Sequence, residues 1–261
     1  GRLWTATGLP APLEAYVGLV RALNDGGELR RYPGSPRIAQ RMLRPQDRLE
    51  LCELHTSDFA LLREAFRRDR RVHCHPADGF RTAIAKLPPA ERRGLVFIDP
   101  SYEIREDYAR VTDALCAMAR RFATGVYALW YPLVDRRSTE SLKSAMEGSG
   151  LRDVLNIELT LDPSSRGRGM SGCGLFVVNP PWTLRADMMN GHGAVHGGGA
   201  EALVDASELD FQLLGMSPIF SISFWISTIR WSLRLICWSS SVSADSDGTS
   251  RMIWRRSESV S

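Results

Sequence analysis

The chain has 261 residues, of which 44% are hydrophobic and 24% charged, and its formal net charge is +3 at pH 7. This composition excludes a wholly disordered chain, and the length suits one large domain or one domain with an appendage. The most apolar stretch, residues 222–238, is interrupted by Arg230 and Arg234, so no membrane helix is expected. Five cysteines without a C-x-x-C pair, and a start unlike a signal peptide, predict a cytoplasmic protein without a disulfide framework or zinc ribbon.

Arginine supplies nearly all of the positive charge. Of the 33 basic residues, only Lys86 and Lys143 are lysines. Two interpretations stay open at this point. A GC-rich coding sequence would enrich arginine without any functional reason, whereas phosphate binding would use the bidentate guanidinium group.

Three regions follow one another along the chain. Residues 1–47 are predicted to form a helical insertion and an entry helix, and residues 48–189 a core in which strands alternate with helices. Residues 190–261 are predicted to be an irregular tail, because they show no steady period of 2 or 3.6 residues. Within residues 217–261 there are 14 serines and four of the seven tryptophans, a composition expected of a shifted reading frame or a non-native extension.

The core region predicts an α/β fold with a mostly parallel, doubly wound sheet. Residues 94–98 and 126–131 are short, wholly apolar runs, as in strands buried on both faces. Two strands without a helix between them, at residues 154–161 and 174–178, predict an antiparallel hairpin at the end of the sheet. The other predicted elements are strands at 48–54 and 70–75, and helices at 58–66, 78–87, 104–122 and 138–146.

The motif Asp99-Pro100-Ser101-Tyr102 directly follows a predicted central strand. One interpretation is purely structural, since Asp-Pro-Ser is good turn chemistry. The other is a platform for a flipped base, in which Asp99 and the Pro100 carbonyl accept hydrogen bonds from an exocyclic amine while Tyr102 stacks on the ring. The motif alone does not decide between them.

Two further acids occupy similar positions. Glu53 closes one predicted strand and Asp78 follows another, so each could bind a nucleotide cofactor or act as a helix cap or a solvated acid. Ser35 is predicted to cap the helix that begins at Pro36, with an optional ligand role. His73 and His75 are interpreted as ordinary histidines on one face of a strand, and no metal site is predicted.

Five motifs in a fixed order carry a resemblance to a known family. They are Tyr32-Pro33-Gly34-Ser35-Pro36, Glu53-Leu54-His55, Ala77-Asp78-Gly79-Phe80, Arg93-Gly94-Leu95 and Ile98-Asp99-Pro100. Further matches are Arg121-Phe122-Ala123-Thr124-Gly125, Tyr127-Ala128-Leu129-Trp130-Tyr131-Pro132 and Asn179-Pro180-Pro181-Trp182. Over residues 1–188 the chain resembles the ribosomal RNA large subunit methyltransferase J family, which methylates N6 of an adenine in 23S rRNA with S-adenosylmethionine.

The resemblance implies a Rossmann-like, class I methyltransferase fold and a role for each matching residue. It makes Asp99 catalytic, with Pro100 and Tyr102 binding the adenine. It makes Ser35, Glu53, Asp78 and Gly79 ligands of S-adenosylmethionine, and requires no metal. The implied partner is 23S rRNA, and no oligomeric state follows.

Three departures from the family pattern lead to further expectations. Ser101 stands where the family has a second proline, which is expected to loosen the turn. The chain begins after the family's first strand and Gly-rich loop, so we expect an unpaired strand edge in the sheet. We also expect S-adenosylmethionine to bind weakly or not at all, and the activity of this chain to be impaired. The resemblance ends near Met188, and we expect the tryptophan-rich tail to promote aggregation and trimming at Met189 to improve solubility.

Two alternatives to this function come from different classes. One is a DNA or other amino methyltransferase that shares the Asp-Pro-x-Tyr arrangement. The other is a non-catalytic RNA-binding protein that uses its arginines, whose affinity would fall with salt and would not change in Asp99→Ala.

Overall fold

The computed structural model describes residues 2–5, 7–9, 11–24, 28–100, 102, 106–160, 171–185, 203–205 and 234–239. The helices are α1 (Arg2–Thr5), α2 (Ala11–Ala22), α3 (Ser35–Met42), α4 (Thr56–Phe66), α5 (Gly79–Lys86), α6 (Glu106–Arg121) and α7 (Arg136–Gly148). The strands are β1 (Leu49–Cys52), β2 (Val72–His75), β3 (Gly94–Asp99), β4 (Val126–Pro132), β5 (Val154–Thr160), β6 (Gly172–Val178), β7 (Leu203–Asp205) and β8 (Arg234–Ser239). Within these ranges, no helix is both long enough and apolar enough to cross a membrane.

The strands form one mixed sheet in the order β2-β1-β8-β3-β4-β6-β5-β7. Strands β2, β1, β8, β3 and β4 are parallel, whereas β6 runs antiparallel to both β4 and β5. This arrangement confirms the predicted α/β class and the antiparallel β5–β6 pair. That pair does not end the sheet, because β7 adds a further parallel strand beside β5.

The slot between β1 and β3 is occupied by β8, which pairs in parallel with both neighbours. The expectation of an unpaired strand edge in the sheet is therefore wrong. Open strand edges carry unsatisfied N–H and C=O groups, and a segment of the same chain satisfies them here. The described parts of the tail, β7 and β8, are strands rather than irregular chain. Trimming at Met189 would remove β8 and reopen both edges, so the structure gives no reason to expect better solubility.

Two apolar layers cover the two faces of the sheet. Strand residues alternate between them, so Leu95 and Phe97 of β3 point to one layer and Val96 and Ile98 to the other. The first layer includes Phe66 of α4, and the second is formed with α5, α6 and α7. A separate small cluster joins α2 to Ile38 of α3. The domain boundaries predicted after residues 47 and 189 remain a prediction.

The turn between α6 and β4 is fixed by the loop after β6. The Asn179 side chain donates hydrogen bonds to the carbonyls of Ala123 (2.8 Å) and Gly125 (2.7 Å), and its own backbone has a φ of 53°. A Cβ atom at Gly125 would overlap the rings of Phe122 and Tyr127. Two of the motifs that carry the family resemblance are therefore in contact, and Asn179 and Gly125 have a structural role in that contact.

Candidate functional site

The predicted acids all lie at the carboxyl edge of the parallel strands. Asp99 is the last residue of β3, and Glu53 directly follows β1. The Glu53 amide donates to the His75 carbonyl at the end of β2 (3.1 Å), and Asp78 follows β2 by three residues. Ligands of open α/β sheets bind at this edge. The structure therefore places Glu53, Asp78 and Asp99 where a ligand of such a sheet would bind, with β8 between the strands of Glu53 and Asp99.

The Asp99 carboxyl group has no hydrogen-bond or ion-pair partner in the part of the chain that the structure describes. Asp99 is partly exposed, whereas the five preceding residues of β3 and the following Pro100 are buried. Burial raises the pKa of Asp99 to about 7, because the apolar surroundings disfavour the charged form. A desolvated acid at a strand end is suited to accept a hydrogen bond from a ligand, and perturbed acids of this kind cluster at functional sites.

Tyr102 is held by contacts with two elements. Its hydroxyl donates to the Trp130 carbonyl of β4 (2.6 Å), and its ring lies 4.6 Å from the ring of Tyr108 in α6. The φ of Tyr102 is 52°, a left-handed conformation that a non-glycine residue adopts only when its surroundings impose it. Its orientation is therefore set by β4 and α6 as well as by the turn. Ser101, where the family has proline, lies outside the described residues.

Glu53 is buried, with an exposed fraction of 5%, although it carries a carboxylate. One oxygen accepts a hydrogen bond from the His55 amide (2.8 Å). Burial raises the pKa of Glu53, and the backbone hydrogen bond from His55 opposes that shift in part. The side chain therefore folds back on the loop between β1 and α4 and remains poorly solvated, so a hydroxyl-bearing ligand could supply a missing hydrogen-bond donor.

Asp78 acts as the N-cap of α5, the structural role that the sequence had offered as one alternative. One carboxylate oxygen accepts from the Arg81 amide (3.1 Å), and the other forms a short ion pair with Arg110. Gly79 is the first, buried residue of the helix. The Arg110 guanidinium also lies 5.2 Å from the ring centre of Phe80. A ligand that used Asp78 would have to share its carboxylate with Arg110.

Ser35 is buried, and the prediction that it caps its helix is wrong. Gly34 is the N-cap of α3, and its carbonyl accepts from the amides of Arg37 (3.0 Å) and Ile38 (3.1 Å). Ser35 is therefore the first residue of the helix and Pro36 the second. The reason is that Gly34 already adopts the extended conformation of a cap, with φ −69° and ψ 164°. This frees the Ser35 hydroxyl from capping.

Two residues that sequence reasoning missed contact the predicted site. Arg110 binds Asp78 and Tyr108 packs on Tyr102, and both lie near the start of α6. The helix follows the Asp-Pro-Ser-Tyr motif closely in sequence, so its first two turns were the signal that could have identified them.

His73 and His75 both bind Glu50 on β1, at 3.3 and 2.6 Å. Among the described residues, no cluster of acids, histidines and cysteines could hold a metal ion.

Comparison with known proteins assigns this arrangement to a family. Residues 1–196 match the family described as "Ribosomal RNA large subunit methyltransferase D, RlmJ". Two similar relatives carry the name "Ribosomal RNA large subunit methyltransferase J", one from Escherichia coli K12 and one from Haemophilus influenzae. Each is 49% identical over 189 residues, which cover 72% of this chain and 68% or 67% of the relative, respectively.

A solved structure shows the same fold. The crystal structure of a protein from Legionella pneumophila superposes with a TM-score of 0.64 at 39% sequence identity. The superposition covers 69% of this chain and 67% of the Legionella chain. The sheet described above is thus that of a methyltransferase-like, Rossmann-type fold.

Proposed function

Since the chain belongs to the ribosomal RNA large subunit methyltransferase J family, we propose that it methylates N6 of an adenine in 23S rRNA with S-adenosylmethionine, in the cytoplasm. Family membership makes it a ribosomal RNA methyltransferase. The proposal of adenine N6 as the target rests on Asp99, a desolvated carboxyl group at the end of a central strand. A buried proline and an oriented tyrosine follow it. Membership of this family does not favour the two alternative functions, a DNA methyltransferase and a non-catalytic RNA-binding protein.

The donor set at the carboxyl edge fits S-adenosylmethionine in kind. The poorly solvated carboxylate of Glu53 suits the ribose hydroxyls, and the Asp78 carboxylate suits an adenine amino group. Gly79 provides a close approach to the backbone, and the Ser35 hydroxyl stands at the start of α3. When bound, the cofactor supplies an electrophilic methyl group on a sulfonium.

Asp99 and Pro100 prepare the nucleophile. An exocyclic amine is a weak nucleophile, because its lone pair is delocalised into the ring. In the proposed mechanism the Asp99 carboxylate and the Pro100 carbonyl each accept a hydrogen bond from one N–H of the amine, which favours a more tetrahedral nitrogen. Tyr102 stacks on the adenine that has left its helix. Asp99 must be ionised to act, and it is available to take up the proton that the nitrogen loses.

Charge near this edge suits an RNA substrate. Arg136 and Arg137 are exposed in the first turn of α7, which follows the end of β4. Arginine at a helix N-terminus is opposed by the helix dipole, so stability does not explain its position. We propose that these two arginines contact phosphates beside the target adenine.

The test is methyl transfer to naked 23S rRNA and to duplex DNA, side by side, with nucleosides analysed by mass spectrometry. The expected product is N6-methyladenine in the 23S rRNA reaction only. Methylated DNA with unmodified RNA would contradict the proposal, as would a product at another nitrogen. Arg136→Gln/Arg137→Gln should raise the KM for RNA and leave the affinity for S-adenosylmethionine unchanged.

A further inference from the structure

The amino edge of the sheet, opposite the proposed methyl-transfer site, carries a row of exposed arginines. Arg48 directly precedes β1, and Arg92 precedes β3 by two residues. Arg120 lies in the last turn of α6, just before the turn into β4, and Arg152 precedes β5 by two residues. All four are exposed, and none of their guanidinium groups has an ion-pair or hydrogen-bond partner among the residues that the structure describes.

The strand register places these positions on one edge. Leu49 of β1 and Leu95 of β3 both pair with Leu235 of β8, so their strands begin at the same level. Leu95 pairs with Val126 of β4, and Val178, which ends β6, pairs with both Tyr127 and Val154. From β1 to β5 the row spans five inter-strand steps, or roughly 24 Å at about 4.8 Å a step.

Trp182 stands at the same edge, in the turn after β6. Its exposed fraction is 83%, against 0% for Leu184, which anchors the turn in the apolar layer. The Leu184 amide donates to the Pro181 carbonyl (2.9 Å), so the tryptophan projects from a fixed turn. Arg185 is exposed beside it. A largely exposed tryptophan, next to arginines whose side chains have no partner among the described residues, combines a stacking surface with phosphate-binding groups.

We infer that this amino edge, defined by Arg48, Arg92, Arg120, Arg152, Arg185 and Trp182, binds a second segment of the substrate RNA. The inference rests on the proposed rRNA substrate. Within the described residues, the acids at this edge do not pair with these arginines. Glu91, Glu147 and Asp153 are exposed, while Asp47, Glu50 and Asp69 are paired with Arg44, Lys86 and Arg71. Guanidinium groups spread over about 24 Å, with an unstacked indole, fit an extended polyanion with exposed bases better than a compact acidic ligand.

The edge cannot serve the same nucleotides as the catalytic carboxylate. Gly94 and Asp99 are separated by five residue steps along β3, or about 17 Å. An RNA loop whose adenine enters at Asp99 therefore reaches the amino edge only through a neighbouring helix or strand. The edge is expected to act on long, folded rRNA and to be unused by a short stem-loop that contains only the target.

The test compares two charge-matched double variants of the full chain by fluorescence anisotropy. Arg92→Gln/Arg120→Gln removes two charges from the edge, and Arg30→Gln/Arg31→Gln removes two exposed charges from the segment between α2 and α3. The probes are a 23S rRNA transcript and a short stem-loop with the target adenine. For the edge variant we expect a roughly tenfold higher Kd for the transcript, a salt slope smaller by about 1.4–1.8, and an unchanged Kd for the stem-loop. The control variant should change neither Kd.

A single substitution tests the stacking surface separately. Trp182→Ala should raise the Kd for the transcript at least roughly fivefold, and Trp182→Phe should restore most of the affinity, because a ring is retained. Equal effects of the two double variants, or equal losses on both RNAs, would overturn the inference. Failure of the proposed function is a different result, namely a wild-type chain that transfers no methyl group to RNA whatever its affinity.

Discussion

The two edges of the sheet are built from opposite charges. At the carboxyl edge the strands end in acids, and Asp99, Glu53 and Asp78 are each held in a different way: desolvated, folded back on a loop, or paired with Arg110. At the amino edge, Arg48, Arg92 and Arg152 lie just before strands and are exposed, and their guanidinium groups are unpaired within the described residues. Acids that are buried or paired are positioned for chemistry, whereas solvated arginines are positioned for long-range attraction.

The contrast between the edges makes the proposed acidic catalytic site compatible with a polyanionic substrate. Acids around the target nucleotide would repel phosphates. In this proposal the arginines outside the catalytic centre, Arg136, Arg137 and those of the amino edge, attract the phosphates electrostatically without neutralising Asp99. Binding and chemistry should therefore separate when single residues are changed.

The largest expected effect comes from Asp99→Asn. The amide keeps the shape of the side chain but offers one weaker acceptor and cannot take up a proton. We expect kcat/KM for 23S rRNA to fall by about 10²–10³-fold or more, with little change in Kd for the RNA. Methyl-transfer kinetics and anisotropy on the same preparation check this. Comparable losses in both quantities would contradict the division of roles between the two edges.

The separation of the two edges depends on a stable sheet, and a substitution at Gly174 in β6 tests how tightly that sheet is packed. A Cβ atom there would overlap the ring of Tyr131. This ring stacks on Phe176, and its hydroxyl lies within hydrogen-bond distance of acceptor oxygens of Asn156 and Glu158. Gly174→Ala should cost at least about 1–3 kcal/mol of unfolding free energy, since the ring is buried and cannot move freely. Denaturant unfolding measures the change.

Gly18 in α2 provides the matched control for that substitution. No atom lies within 4 Å of a Cβ built there, and the residue is helical. Gly18→Ala should leave stability unchanged or raise it by up to about 1 kcal/mol. If both variants lost the same stability, overpacking against Tyr131 would not be the cause.

Asp99 should also make the stability of the fold depend on pH. The pKa of Asp99 is raised to about 7 in the folded chain, above its unfolded value of about 3.9, so the folded state binds more protons between these limits. Its contribution favours folding below the unfolded pKa and is lost as pH rises through about 7. The wild-type Tm should therefore fall by several degrees more between pH 5 and pH 8 than that of Asp99→Asn. Parallel pH profiles would show that the carboxyl is solvated. Activity should rise over the same interval, because the ionised form is the acceptor.

The features that depend on a short stretch of chain could be predicted from the sequence. The apolar runs at residues 94–98 and 126–131 became Gly94–Asp99 and Val126–Pro132, because burial on both faces leaves a signal that needs no partner. The position of Asp99 at a strand end followed from that strand. The pairing of β8 could not be predicted, since the tail has no strand period and the pairing depends on two open edges far away in sequence.

Contacts between separate elements were the other part that the sequence did not reveal. Asp78 and Arg110 are 32 residues apart, and their ion pair exists only because α6 packs beside α5. The hydrogen bond from Tyr102 to the Trp130 carbonyl likewise needs β4 in place. The capping role of Gly34 rather than Ser35 depends on backbone angles that several residue types can adopt.

The smallest expected effect concerns Arg110, an arginine at the acidic edge. Its side chain is about half exposed, and exposed ion pairs contribute only about 0.2–1 kcal/mol, so a ligand can displace it. If Asp78 receives the adenine amino group of the cofactor, Arg110→Gln should free one carboxylate oxygen and lower the Kd for S-adenosylmethionine by about two- to fivefold. Asp78→Asn should raise that Kd, and calorimetric titration of both variants checks the pair. Weaker binding by Arg110→Gln would mean that the guanidinium itself contacts the cofactor. Arginines at both edges would then bind a ligand directly, and the two edges would differ only in their acids.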